Sequence, residues 1–181
     1  MAVIGVDPSL TSIGYAYMLD GRLFVGSLIQ REARGMQRLQ HIATQIRRVS
    51  DGCSLMAIEG YAFGVAAAAS RAHSLGEVGG IIKYSAWASG MNLLIVPPQN
   101  LKLFMLGRFK SPKGKKGEAK KQVKLAAEAH AERAFANTDQ ADAYSLLLMG
   151  QCFENKRLLP RSHTDTKRIA LDGCDYIPAF R

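Results

Sequence analysis

VIGVDPSLTSIGYAY, residues 3–17, holds two strand-like runs parted by a turn, with an aspartate where the first run ends. Residues 2–6 (AVIGV) are apolar and partly β-branched, as a short buried strand requires. Asp7-Pro8-Ser9 ends that run as a turn. Residues 12–18 (SIGYAYM) read as a second strand, and Asp20-Gly21 is a strong hairpin signal before a third, residues 22–29 (RLFVGSLI). Three strands joined by short turns form an antiparallel meander.

Outward from the meander the period changes. Met36, Leu39, Ala43 and Ile46 recur at helical spacing, which predicts a helix over 33–49. Residues 55–59 (LMAIE) read as a short buried strand, 66–89 as an Ala-rich helix and 91–96 (MNLLIV) as a strand stopped by Pro97-Pro98. Gly76, Gly79 and Gly80 lie inside the Ala-rich helix, where each costs about 1 kcal/mol; they imply a break or a close helix contact. After a short helix over 99–106 and a basic loop over 107–117 come helices over 118–134 and 138–150; without the short helix the order is β-β-β-α-β-α-β-α-α. The expected architecture is α/β, a mixed five-stranded sheet with helices on its faces. Residues 1–152 form the expected domain, and 153–181 a C-terminal extension of weak periodicity.

Charge narrows the partner. The net charge is +9, and residues 101–124 carry eight lysines and Arg108 against Glu118 alone, 9 − 1 = +8. An excess concentrated in this way points to a polyanion rather than to a merely soluble loop. No apolar run reaches the roughly 20 residues that span a bilayer, and the N-terminal residues show no secretion signal, so a cytoplasmic location is expected. Cys53, Cys152 and Cys174 are scattered and odd in number, as for free thiols, and they form no zinc spacing with the four histidines. Gly107–Gly117 lacks the Gly-Lys-Ser/Thr of a Walker loop, so no nucleotide cofactor is expected.

Four acids stand where apolar or structural residues would be ordinary. Asp7 and Glu59 end hydrophobic strands, where sheets commonly carry chemistry. Asp139 and Asp142 are three apart and share a helix face. Each has a plain alternative: Asp7 as a turn residue, Glu59 paired with a lysine, Asp139 as a first-turn acid behind an Asn137 or Thr138 cap. Asp142, flanked by alanines in an apolar helix, is the hardest to dismiss. Convergent carboxylates repel, and a hard divalent cation such as Mg²⁺ removes the cost. Two such ions about 3.5–4 Å apart suit phosphodiester hydrolysis.

The sequence resembles the RuvC-type Holliday-junction resolvases of the ribonuclease H-like superfamily. The opening 3–17, MAIEGYAFG at 56–64, LGEVGGIIKYSA at 75–86, VPPQNLKLFMLG at 96–107, GEAKKQV at 117–123 and TDQADAYSLLL at 138–148 match in order over about 150 residues. The resemblance implies a ribonuclease H-like fold, a homodimer and two symmetric incisions across a four-way DNA junction. Asp7, Glu59, Asp139 and Asp142 match the acids that bind two Mg²⁺ or Mn²⁺ ions. Lys121 matches the basic residue beside the scissile phosphate, with Lys120 as the alternative register.

The departures are equally specific. Residues 108–116 (RFKSPKGKK) look like an insertion, in which Arg108, Lys110, Lys113, Lys115 and Lys116 are candidate DNA contacts. The aromatic expected three residues after the second acid falls on Ala62, leaving Tyr61 and Phe63 as candidate stacking wedges. Arg71 is a candidate phosphate contact, Phe109 a weak stacking candidate, and Phe104 is assigned to the core. The insertion and the extension look more like a phage-type member, active in the cytoplasm of an infected bacterium. Competing readings are a non-catalytic branched-DNA binding protein and a ribonuclease on RNA–DNA hybrids. The opening also resembles the phosphate loop of actin-like ATPases and sugar kinases, but those chains duplicate the domain and are much longer.

Overall fold

In the computed structural model, residues 2–29, 35–60, 69–107, 117–155 and 165–179 are described. The meander consists of β1 (Ala2–Asp7), β2 (Ser12–Leu19) and β3 (Arg22–Ile29). It is followed by α1 (Gly35–Val49), β4 (Cys53–Glu59), α2 (Ala69–Ala88), β5 (Asn92–Val96) and α3 (Pro98–Leu106). Then come α4 (Glu118–Ala131), α5 (Thr138–Glu154), α6 (Thr166–Asp172) and β6 (Asp175–Ile177). The sheet runs β3-β2-β1-β4-β5-β6. The meander is antiparallel, β4 and β5 join β1 in parallel, and β6 closes the far edge antiparallel to β5.

Six strands replace the expected five. The added strand, β6, has three residues, too few to show a period of two. It exists through pairing with the β5 edge, Leu93 opposite Ile177 and Ile95 opposite Asp175. The same stretch is tied down by Trp87 Nε1, which donates to the Pro178 carbonyl at 3.0 Å, and by Ala179 N–H, which donates to Asn92 Oδ1 at 2.9 Å. Helix α6, capped by Asp165 accepting from Lys167 N–H at 3.0 Å, was likewise not legible; it packs on α3, and Asn100 Nδ2 donates to the Ala170 carbonyl at 2.8 Å.

Helix limits moved where capping outweighed composition. Helix α4 stops at Ala131 because Glu132 turns left-handed (φ 51°), three residues short of the expected end. Helix α2 runs through its glycines without a break: Gly79 is buried, while a Cβ at Gly76 or Gly80 would meet nothing within 4 Å. Among the described residues nothing stands close enough to Gly80 to require a glycine there.

Two apolar layers sandwich the sheet. Ile42 and Ile46 of α1 and Val78 and Ile82 of α2 pack on Ile4 and Val6 on one face. On the other, α5 lies against β1 with Leu146 and Leu147, flanked by Leu101 and Phe104 of α3 and Val123 of α4. Phe104 is 4% exposed, as its core assignment requires. Alternation along β1 sends Ile4 and Val6 to the α1–α2 side. Val3, Gly5 and Asp7 therefore face α5. A side chain at Gly5 would overlap the Ala143 carbonyl oxygen and the Leu147 nitrogen, so glycine lets α5 rest on the strand backbone. Among the described residues no helix is long and apolar enough to cross a membrane.

Candidate active site

Parallel pairing of β1 with β4 sets Val6 opposite Ile58, so the next residues, Asp7 and Glu59, end their strands side by side. Both point to the α5 face by the alternation above. Helix α5 then supplies Asp139 from its first turn and Asp142 from the next. Its start is held firmly. Asn137 Oδ1 accepts from Gln140 N–H at 2.9 Å, Gln140 Oε1 accepts from Ala136 N–H at 3.1 Å, and Gln140 Nε2 donates to Ser27 Oγ at 3.2 Å. This reciprocal cap resolves the choice between Asn137 and Thr138 in favour of Asn137. Gly14 of β2, opposite Asp7 in the ladder, has its would-be Cβ overlapping the Asp139 carbonyl. The first turn of α5 thus sits directly on β2.

The fifth group is Lys120, in the first turn of α4, whose Nζ lies 3.5 Å from Asp142 Oδ2. Asp7, Ser9, Glu59, Ala72, Lys120 and Asp139 line one cleft of about 380 Å³ that opens across the end of β1 towards the start of α2.

Burial decides the electrostatics. Asp7 is 3% exposed and Asp142 4%, an expensive position for ionised carboxylates. Burial, reinforced by Glu59 and Asp142, pushes Asp7 well above the ordinary carboxylate range, and Lys120 only partly offsets this. Burial also raises Glu59, against a hydrogen bond from Asp7 and the positive charges of Lys120 and Lys102. Asp142 is pushed up to about 6, again by burial first, with Lys120 opposing. Burial pulls Lys120 down, but the four acids together outweigh it and raise it.

The donor set is all carboxylate oxygen, matches a hard divalent cation, and lacks the charge to be comfortable without one. As they stand, among the described residues no three acidic, histidine or cysteine side chains are drawn together closely enough to hold a metal ion. The carboxylates are neighbours beside the Lys120 ammonium rather than a closed coordination shell.

This has a measurable consequence for stability. Between the ordinary aspartate value of 3.8 and about 6, folded Asp142 holds a proton that the unfolded chain releases. Its contribution is therefore complete at low pH and lost as pH rises through about 6, and the raised Asp7 and Glu59 act in the same direction. At about 1.4 kcal/mol per unit, Asp142 alone is expected to cost on the order of 3 kcal/mol at neutral pH. In EDTA the melting temperature should fall by several degrees between pH 5 and 7.5. Asp142→Asn should remove much of that slope, and Mg²⁺ should restore stability at pH 7.5. A melting temperature that climbs over this range, equally in both proteins, would show that the carboxylates ionise at no cost.

Of the residues singled out in the sequence, Asp7, Glu59, Asp139, Asp142 and Lys120 come together. Lys121 does not join them; it is exposed, roughly 100° further round α4. Arg71 has its backbone in the first turn of α2, at the cleft end, and its side chain lies outside the described residues. Tyr61, Phe63, Arg108, Phe109, Lys110, Lys113, Lys115 and Lys116 also lie outside them. Lys102 was missed as an electrostatic neighbour of Glu59: it sits on α3, and no sequence spacing links α3 to the end of β4.

No family model and no curated protein matches the sequence. Solved structures do match. RuvC of T. thermophilus in complex with a Holliday junction substrate is 17% identical, with a TM-score of 0.67 over 86% of this chain and 96% of that one. A second Thermus thermophilus RuvC structure is 18% identical, with a TM-score of 0.66 over 87% and 97%. The mixed sheet flanked by helices, with α5 lying across β1, is the ribonuclease H-like fold in its RuvC form.

Proposed function

We propose that this chain is a metal-dependent endonuclease that cuts branched DNA, with the four-way junction as its substrate. The observation that carries the reading is the convergence of four carboxylates, from β1, β4 and α5, at one end of the sheet, with only one lysine in salt-bridge reach among the described residues. A protein that merely bound DNA would gain nothing from acids facing phosphate. The fold shared with a RuvC that was solved on a Holliday junction supports the choice of substrate.

In this reading Asp7, Glu59, Asp139 and Asp142 hold two Mg²⁺ or Mn²⁺ ions. Bound there, such ions supply the positive charge that makes water a better nucleophile and eases departure of the 3′ oxygen. Lys120 balances the acids in the metal-free protein; once they are neutralised, its ammonium is available to the scissile phosphate, the role the resemblance gave to Lys121 or Lys120. The basic segment 108–116, with Arg71, holds the DNA backbone, and Tyr61 or Phe63 stacks at the branch point. A homodimer presents two such sites for paired cuts, and residues 153–181 are an extension of the nuclease domain.

The test is incubation with labelled four-way junction, linear duplex and RNA–DNA hybrid, in Mg²⁺ and in EDTA. Paired symmetric nicks in the junction, in Mg²⁺ only, are the expected result. Junction bound but uncut in Mg²⁺ and in Mn²⁺ would reduce the protein to a binding module. Cutting of the hybrid alone would keep the chemistry and replace the substrate.

A further inference from the structure

Helix α1 starts at the cleft end of the molecule. Ser12 of β2 pairs with Ile29 at the end of β3, and Gly14 pairs with Asp7, so Ile29 lies at the Asp7 end of the sheet. Helix α1 begins six residues later and finishes beside Cys53, which pairs with Ala2 at the opposite end. Its first turn therefore stands over the same rim as the carboxylates, on the other face of the sheet.

Arg38 is in that turn, one turn before the core residue Ile42. It is only partly exposed, and its Nε is buried with no hydrogen-bond partner. Among the described residues no carboxylate pairs with it. A guanidinium that has given up water at Nε without gaining an acceptor is destabilising as it stands. Its planar fork suits two oxygens of one phosphate. Asp7 and Glu59 cannot be that acceptor, since they point to the α5 face.

We propose that Arg38 is a nucleic-acid phosphate contact on the α1 side of the rim, holding a backbone phosphate away from the scissile one. This rests on the proposed function for its polyanion, and on the place of Arg38 at the rim and its unpartnered Nε for its position. DNA crossing the sheet end would then be gripped on both faces, by Lys120 on one and by Arg38 on the other.

The test compares the wild type with Arg38→Met and Arg38→Lys in EDTA, where nothing is cut. Affinity for four-way junction, linear duplex and RNA–DNA hybrid is measured against salt, together with melting temperature. Arg38→Met should bind roughly ten- to a hundredfold more weakly at low salt. Its log–log salt slope should be flatter by about 0.9, the value of one phosphate contact on duplex DNA. Its melting temperature should be unchanged or higher, because an unsatisfied buried donor is gone. Arg38→Lys should recover the slope but only part of the affinity. Equal slopes for wild type and Arg38→Met on every nucleic acid, including binding of none, would overturn the proposal. So would weaker binding that merely accompanies a lower melting temperature. Cutting by the wild type in Mg²⁺ decides the nuclease reading separately, since the Arg38 difference can hold on whichever duplex is bound.

Discussion

Asp7→Asn is expected to slow Mg²⁺-dependent junction cutting by roughly a thousandfold or more, on the order of 4 kcal/mol in the barrier. The same change should make the metal-free protein more stable. Both effects have one cause. Asp7 is buried, and burial together with Glu59 and Asp142 already holds its carboxyl protonated far above the ordinary range. Asparagine keeps the shape and removes a charge that the fold does not want. On the proposed reading, that charge is what the metal ions need. Single-turnover cleavage and melting in EDTA should therefore move in opposite directions. A variant cutting within tenfold of the wild type would remove Asp7 from the chemistry, whatever its stability.

Gly14→Ala should be costly although it adds one methyl group. The new Cβ would overlap the carbonyl of Asp139, and Gln140 N lies just behind. Neither is the yielding end of a side chain; both are backbone in a helix start held by Asn137 and by Gln140 on Ser27. The first turn of α5 must shift, and Asp139 with it. Overpacking of this kind costs about 1–3 kcal/mol, and a site moved by a fraction of an ångström loses metal affinity as well. Chemical denaturation and metal-dependent cutting should both suffer, with excess Mn²⁺ recovering part of the activity. Gly80→Ala provides the contrast: among the described residues nothing lies within 4 Å of the added methyl on a helix, so stability should rise by up to about 1 kcal/mol. If Gly14→Ala behaved like Gly80→Ala, the close seating of α5 on β2 would be refuted.

The meander, the alternation of later strands and helices and the pairing of Asp139 with Asp142 were all legible because they are local. Period two, period 3.6 and turn residues act over a few positions, and Asp7-Pro8 or Asp20-Gly21 means the same in any fold. Glu59 was visible for the same reason, as an acid closing a short apolar run. What the chain did not disclose locally is anything made by meeting across the sheet. Lys120 rather than Lys121 reaches Asp142 because of the angle at which α4 leaves Gly117. Lys102 feels Glu59 only because β5 delivers α3 to the same rim. Strand β6 is a strand because β5 offers it an open edge. Gly14, an unremarkable residue within a strand pattern, is required by a helix more than a hundred positions away. The raised carboxyls follow from the same source. Sequence determined that acids would stand at strand ends and on one helix face; only tertiary packing decided how much water Asp7, Glu59 and Asp142 would lose, and therefore that their carboxyls are raised above the ordinary range.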